Sequence, residues 1–393
     1  MKLCPVNRTG EECIVKGDDM KARINTSLCT GCGICSNRCP FGAIHIVNLP
    51  EALDQDPIHM YGENGFHLYN LPTPMFGKVV GVLGVNGIGK STAIKVLAGV
   101  IKPNLGGDEE ADFSGIIDYF RGTEAQLFFE KVRDGKIKTA YKPQQIELIP
   151  KQFSGMVIDL LRKVDEKGKA DEIMDLLDLR AFADTDISKI SGGELQRVAI
   201  AATVLKKAEL YILDEPTSYL DIKQRIKVSR FIRSLADENT AVIAVEHDLI
   251  VLDYIADLVS LMYGEKGAYG IVSQPKPTKA GINTFLEGYL REENIRFRDS
   301  PIRFDSRPPQ KTREKPVLVS WSSIRKRLGS FELSAGQGEL KKSDVCGVLG
   351  ENGIGKTTLA KVLAGVGEKD KAEMSGSIRV SYKPQYLQAD SEY

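Results

Sequence analysis

Apolar residues in this chain gather in short unbroken runs. Val79-Val80-Gly81-Val82-Leu83 leads into a glycine-rich turn and then into 92–98, whose pattern is helical. That succession reads as buried strand, loop and helix. Leu210-Tyr211-Ile212-Leu213 is a second buried strand, ending in Asp214 and Glu215, and Val242-Ile243-Ala244-Val245 runs into Glu246, His247 and Asp248. Strands of this kind with helices between them predict an α/β fold. Between 101 and 138, Ile116, Ile117, Phe120, Leu127, Phe128 and Val132 recur at helical spacings on both sides of Arg121-Gly122. This predicts a helix–turn–helix hairpin.

The chain repeats itself. Residues 83–100 read LGVNGIGKSTAIKVLAGV and residues 349–366 read LGENGIGKTTLAKVLAGV, fourteen of eighteen positions being identical at an offset of 266. Tyr141-Lys142-Pro143-Gln144 recurs as Tyr382-Lys383-Pro384-Gln385 at an offset of 241, so the first copy carries 25 residues that the second lacks (266 − 241). The hairpin lies within that extra segment. The second copy ends soon after its KPQ, which leads us to expect a chain cut inside a second unit. Between the copies, 291–327 holds eleven Lys or Arg against five Asp or Glu and includes Arg307-Pro308-Pro309-Gln310-Lys311. It reads as a hinge with a basic surface or a solvated linker.

Charge narrows the partners. Lys plus Arg and Asp plus Glu balance at 53 each, so any nucleic-acid contact must come from a local patch. No run of about 18 apolar residues suggests a membrane span, and no apolar segment follows Met1, so a cytoplasmic protein is expected. Six of the seven cysteines precede residue 40. In a long chain without a visible export signal this favours metal ligation over disulfides. Cys346, beside an apolar run, is expected to be a buried small residue.

Gly84-Val85-Asn86-Gly87-Ile88-Gly89-Lys90-Ser91, followed by Thr92, matches G-x-x-x-x-G-K-[ST] between a strand and a helix, and Gly350-Glu351-Asn352-Gly353-Ile354-Gly355-Lys356-Thr357, followed by Thr358, matches it again. Glycines let backbone N–H groups converge on phosphates at a helix N-terminus. Lys90 and Lys356 supply point charges to the β- and γ-phosphates, and the Ser91 hydroxyl is placed to ligate Mg²⁺. Asp214 fits the second shell of that ion, and Glu215 is placed to polarise the attacking water. Ser191-Gly192-Gly193-Glu194-Leu195-Gln196 precedes this strand and His247 follows it.

In this order and spacing the motifs resemble the ABC ATPase superfamily. The resemblance implies a signature motif at Ser191, Gly192 and Gly193, a Q-loop glutamine at Gln144 that also serves Mg²⁺, and its counterpart at Gln385. It further implies a D-loop at Ser218-Tyr219-Leu220-Asp221 and a switch histidine at His247. Two cassettes would face head to tail, each ATP lying between one P-loop and the other cassette's signature.

Cys29-x₂-Cys32-x₂-Cys35-x₃-Cys39-Pro40 is the bacterial ferredoxin run, with zinc as the chemical alternative. In two-cluster ferredoxins the fourth cysteine serves the other cluster, so Cys29, Cys32 and Cys35 need a remote Cys-Pro, and Cys4-Pro5 fits. Cys39 would join a second 4Fe-4S cluster, for which only Cys13 remains. Either residues precede Met1 in the intact protein or one cluster is incomplete, and the first is favoured.

A ferredoxin-like α+β domain fused to twin cassettes resembles the ABCE family (RNase L inhibitor-like proteins) along nearly the whole chain, through CPVNR, CTGCGIC, IVNLP, PNLG, YFRG, KPQ, SGGELQR, DEP, SYLD, VEHDL, VLDY and YGI. Gln145 after KPQ and Ile190 before the signature depart from the family pattern. The resemblance implies ATP-driven ribosome recycling, with the small ribosomal subunit, its rRNA and a termination or recycling factor as partners. The alternatives are an iron–sulfur electron-transfer or cofactor-assembly ATPase and a transport ATPase subunit. The expected domains are 1–65 (ferredoxin-like), 66–280 (first cassette, with the insertion at about 108–138), 281–328 (hinge) and 329–393 (start of the second cassette). With the second signature, Walker B and switch histidine lacking, this chain is expected to bind nucleotide but turn it over poorly. Robust ATP hydrolysis by these 393 residues, abolished by Glu215→Gln, would overturn that expectation.

Overall fold

The computed structural model describes residues 3–17, 21–25, 28, 29, 32, 34–39, 56–62, 65–303, 315–329, 331–365, 374, 375 and 380–383. Gln385 and the 307–311 segment lie outside them. In chain order, α1 (Pro5–Arg8), β1 (Ile14–Lys16), β2 (Ala22–Ile24) and α2 (Ile34–Asn37) come first, then β3 (His59–Met60), β4 (His67–Tyr69), β5 (Val79–Gly84) and α3 (Lys90–Leu97). The hairpin α4 (Phe113–Tyr119) and α5 (Glu124–Arg133) precedes β6 (Thr139–Lys142). Next are α6 (Ile149–Gln152), α7 (Val157–Val164), α8 (Ala170–Leu176), α9 (Gly192–Val204), β7 (Leu210–Asp214), α10 (Ile222–Ser234), β8 (Ala241–Val245), α11 (Leu249–Ile255), β9 (Leu258–Glu265) and β10 (Tyr269–Val272).

These elements build two compact units. The first takes Met1–Thr73, Val82–Arg133 and Leu258–Arg303; the second takes Pro74–Gly81, Asp134–Asp257 and Phe304–Tyr393. In the first unit, β1 and β2 pair antiparallel. Its larger sheet joins β3 to β4 antiparallel, β4 to β10 parallel and β10 to β9 antiparallel. The hairpin carries its own small core. Ile116, Ile117, Phe120, Ala125, Phe128 and Phe129 are buried, and Phe120 stacks on Phe129 with centroids 5.3 Å apart. Leu127, expected on the same apolar face, points outward at 59% exposure, while Phe128 and Phe129 fill the positions over α4.

In the second unit β6, β7 and β8 run parallel, Leu210 opposite Thr139 and Ala241. All residues of β7 and β8 are buried, as in strands covered on both faces. Helix starts are capped by side chains that accept otherwise unpaired amides. Asp221 accepts Gln224 N on α10, and Asp248 accepts Ile250 N and Val251 N on α11 while pairing with Arg225 at 2.9 Å. Further on, Val317–Trp321 pairs with Gly338–Lys341, Ile324–Leu328 pairs with Phe331–Ala335, and Lys356–Ala364 is helical.

Cys346 is exposed, contrary to expectation, and its neighbour Val345 is fully so. An apolar run becomes buried only when other strands flank it, and none of the described strands pairs with 344–350. No helix among the described residues is long and apolar enough to cross a membrane.

Because Asp248 both caps α11 and holds Arg225, Asp248→Ala should lower stability by about 1–2 kcal/mol in urea unfolding. Asp253→Ala, on the exposed face of the same helix, should leave the midpoint unchanged.

Candidate functional site

The first P-loop joins β5 to α3 within the first unit. Gly89 has φ +93°, and a Cβ there would lie 2.3 Å from the Phe66 ring, so only glycine lets the aromatic approach. Lys90 is buried and its Nζ donates to Gly84 O and Val85 O, both at 2.9 Å. Ser91 and Thr92 occupy the first turn of α3, while Asn86 and Gly87 are exposed on the loop. Two aromatics that the motif search missed flank this turn. Tyr61 Oη lies 3.5 Å from Thr92 Oγ1, and Tyr61 N donates to Phe66 O at 3.1 Å.

The second P-loop, in the other unit, has the same construction. Gly355 has φ +95° against the Phe331 ring, and Lys356 Nζ donates to Gly350 O and Glu351 O at 2.7 and 2.6 Å. Phe66 stands 23 residues before Gly89 and Phe331 stands 24 before Gly355. Comparing the copies upstream of the loops would have exposed this signal.

The same unit places the first signature against this second loop. Ser191, Gly192, Gly193 and Tyr219 share a cleft of about 750 Å³ with Phe331, Asn352, Gly353, Gly355, Lys356, Thr357, Thr358, Tyr382 and Lys383. Asn352 Nδ2 donates to Tyr219 O and Asn352 N to Asp221 Oδ2, both at 3.2 Å. Ser191 caps α9 in a reciprocal box: its Oγ accepts Glu194 N at 3.3 Å, and Glu194 Oε2 accepts Ser191 N at 2.7 Å.

Around Glu215 the structure gathers the predicted set. Gln144 Nε2 donates to Glu215 Oε1 at 2.8 Å, His247 Nε2 stands 3.2 Å from the same oxygen, and Ser218 Oγ donates to Oε2 at 3.0 Å. The bond to His247 holds the Glu215 carboxyl below its usual range, outweighing burial. Glu215 itself has φ +47°, a left-handed backbone that costs roughly 1–3 kcal/mol in a non-glycine residue. Two side chains that stand within the quoted motifs, but to which the motifs assign no role, secure this turn. Gln196 Nε2 donates to Glu215 O at 2.7 Å, and Lys142 Nζ donates to Asp214 O at 2.8 Å. Asp214 is buried at the strand end; Glu246, also buried, accepts both Thr217 N and Thr217 Oγ1. Burial pushes the Glu246 carboxyl up, and pushes Lys142 down to about 8.

Of the cysteines, Cys4 and Cys13 are buried with Ile14 in a small core, against which Leu28 and Cys35 pack. The Asn7 amide holds the Cys4 thiol below its usual range. Burial and the neighbouring Cys4 and Cys29 thiols push Cys13 up to about 11. Cys29 and Cys32 are exposed, and Cys39 is partly so. Among the described residues, no three Cys, His, Asp or Glu side chains are grouped to hold a metal. The donor chemistry nonetheless fits a cluster: Cys4, Cys13 and Cys35 share one small core, and thiols are the donors that iron–sulfur clusters take.

The ABC transporter family profile matches residues 75–218, and the 4Fe-4S binding domain profile matches 22–45. The chain is 51% identical to an uncharacterized ABC transporter ATP-binding protein of Methanocaldococcus jannaschii, over 99% of its own length and 65% of the relative's. It is 46% identical to ABC transporter E family member 1 of Arabidopsis thaliana and 44% identical to translation initiation factor RLI1 of Saccharomyces cerevisiae, in each case over 98% of the chain and 65% of the relative. It thus spans about two thirds of the length of these relatives. Among solved structures, ABCE1 in a model of ribosome-bound archaeal Pelota and ABCE1 superposes with a TM-score of 0.81 at 50% identity, covering 99% of this chain and 66% of that one.

A lysine with a folded pKa of about 8 against an ordinary 10.5 binds fewer protons folded than unfolded between those values. Its part in stability therefore rises with pH from about 8 to 10.5 and is flat outside that window. Unfolding midpoints measured across this range should rise less in Lys142→Met than in the unaltered chain.

Proposed function

We propose, from the premise that this chain belongs to the ABCE family, that it is an ATP-hydrolysing cassette protein acting in ribosome recycling. The observation that carries this reading is the cleft in which the first signature faces the second P-loop. Such a cleft suits a triphosphate bound between cassettes, with Lys356 and the Gly353–Gly355 turn on one side and Ser191 to Gly193 on the other. Phosphoryl transfer needs little covalent chemistry, so converging donors around the γ-phosphate supply most of the catalysis.

At the first P-loop, Lys90 and the amides of 87–91 grip the phosphates. Tyr61 and Phe66 offer aromatic faces to the base, since stacking is how such faces hold nucleobases. Glu215 orients the attacking water, with His247 and Gln144 fixing its carboxylate. Ser91 and Gln144, with Asp214 behind them, would hold Mg²⁺, whose charge would offset that of the phosphates. Cys4, Cys29, Cys32 and Cys35 would hold a 4Fe-4S cluster and Cys39 would join a second, each of which would crosslink an otherwise small domain. The domains run 1–65, 66–280 with the hairpin inserted, 281–328 as hinge and 329–393 as the start of the second cassette. Small-subunit rRNA and a termination or recycling factor are the partners, and the protein works in the cytoplasm. The translation-factor and ribosome-bound relatives support this reading over transport.

Co-sedimentation with small ribosomal subunits should increase in the presence of a non-hydrolysable ATP analogue, and Lys356→Ala should remove the increase. Nucleotide-independent sedimentation, or none, would overturn the proposal.

A further inference from the structure

The outer edge of β3 is covered by a side chain rather than by a strand. Met60 N donates to Asn104 Oδ1 and Asn104 Nδ2 donates to Met60 O, both at 2.9 Å. Two residues earlier, Ile58 O accepts Leu105 N at 3.2 Å. The Asn104 carboxamide therefore reproduces the donor–acceptor pair that a neighbouring strand would present, leaving no open ladder at that edge. The loop can lie this close because Gly106 takes φ +79° and a Cβ there would meet Pro57 Cδ at 3.1 Å.

The other face of the same loop meets the inserted hairpin. Ala111 N donates to Pro103 O at 2.8 Å, and the Leu105 side chain lies against Gly115 in the first turn of α4. Met60 immediately precedes Tyr61, which is further fixed by the edge of buried His59, their rings 4.8 Å apart at 89°. Asn104 thus stands midway between the hairpin and the aromatic beside the P-loop.

We infer that Asn104 is a positioning residue for base recognition at the first P-loop, a strut that holds the Tyr61 edge in place against the α4–α5 hairpin. It touches neither base nor phosphate and acts through Met60. The inference rests on the reading of Tyr61 as a base contact. It also implies that displacing α4 loosens the grip on the base, since Leu105 is shared by both contacts.

The test measures binding to the first P-loop alone, in a Lys356→Ala background that disables the second. ATP and inorganic tripolyphosphate are each titrated in competition with a fluorescent ATP analogue. Asn104→Ala should weaken ATP about tenfold, which corresponds to about 1.4 kcal/mol, while leaving tripolyphosphate within about twofold. Asn104→Asp, which keeps the acceptor for Met60 N and loses the donor, should fall between. Equal weakening of both ligands would mark a general structural role and overturn the inference. So would unchanged ATP binding in Asn104→Ala, and Tyr61→Ala then separates the two failures. If Tyr61→Ala weakens ATP, only the strut is wrong; if it does not, the base-contact reading is wrong as well.

Discussion

The hydrogen bond from Gln196 Nε2 to the carbonyl of Glu215 is the contact on which the second unit's chemistry depends. Glu215 follows a strand whose every residue is buried, and its backbone must turn into the left-handed region to present its carboxylate to Gln144, His247 and Ser218. A β-to-left-handed turn in a residue with a Cβ persists only where its surroundings over-determine it. Gln196 reaches it from α9, and Lys142 secures the preceding carbonyl from β6. The turn is therefore held from two neighbouring elements.

That arrangement gives α9 two duties. Its first residues, capped by Ser191, line the cleft shared with the second P-loop, and Gln196 in its second turn grips Glu215. A rigid helix transmits displacement along its axis, so what is bound at Ser191 and what is presented by Glu215 belong to one mechanical element. Burial of a lysine at the same turn follows the same logic. The Lys142 amine is tolerated because backbone carbonyls accept its protons, although burial lowers its affinity for them.

Much of this was legible from residues. Gly84 to Ser91, Asp214 and Glu215 sit where local strand–loop–helix patterning puts them, because those motifs are built by neighbours in sequence. The grouping of Glu215, Gln144 and His247 required the parallel pairing of β6, β7 and β8, which motif order implies but periodicity cannot register. Tyr61 and Phe66 stand outside every motif quoted, and Asn104, Lys142 and Gln196 stand inside PNLG, KPQ and SGGELQR without a role read for them, for a common reason: each acts through a single side chain across a tertiary contact. Leu127 and Cys346 were misread in the opposite sense. Their apolar character is real, but burial depends on which element covers a face, and helix α4 and the described strands cover other residues instead.

The capping box at the start of α9 decides more than helix stability. By accepting the Glu194 amide, the Ser191 hydroxyl commits one lone pair to its own helix. Its hydrogen is not used by that bond. The carboxylate of Glu194 is likewise drawn back onto the Ser191 amide. A side chain that starts a helix thus keeps its hydroxyl hydrogen free of the capping bond, at the positive end of a dipole. How the helix begins therefore also sets which sign of charge this position favours.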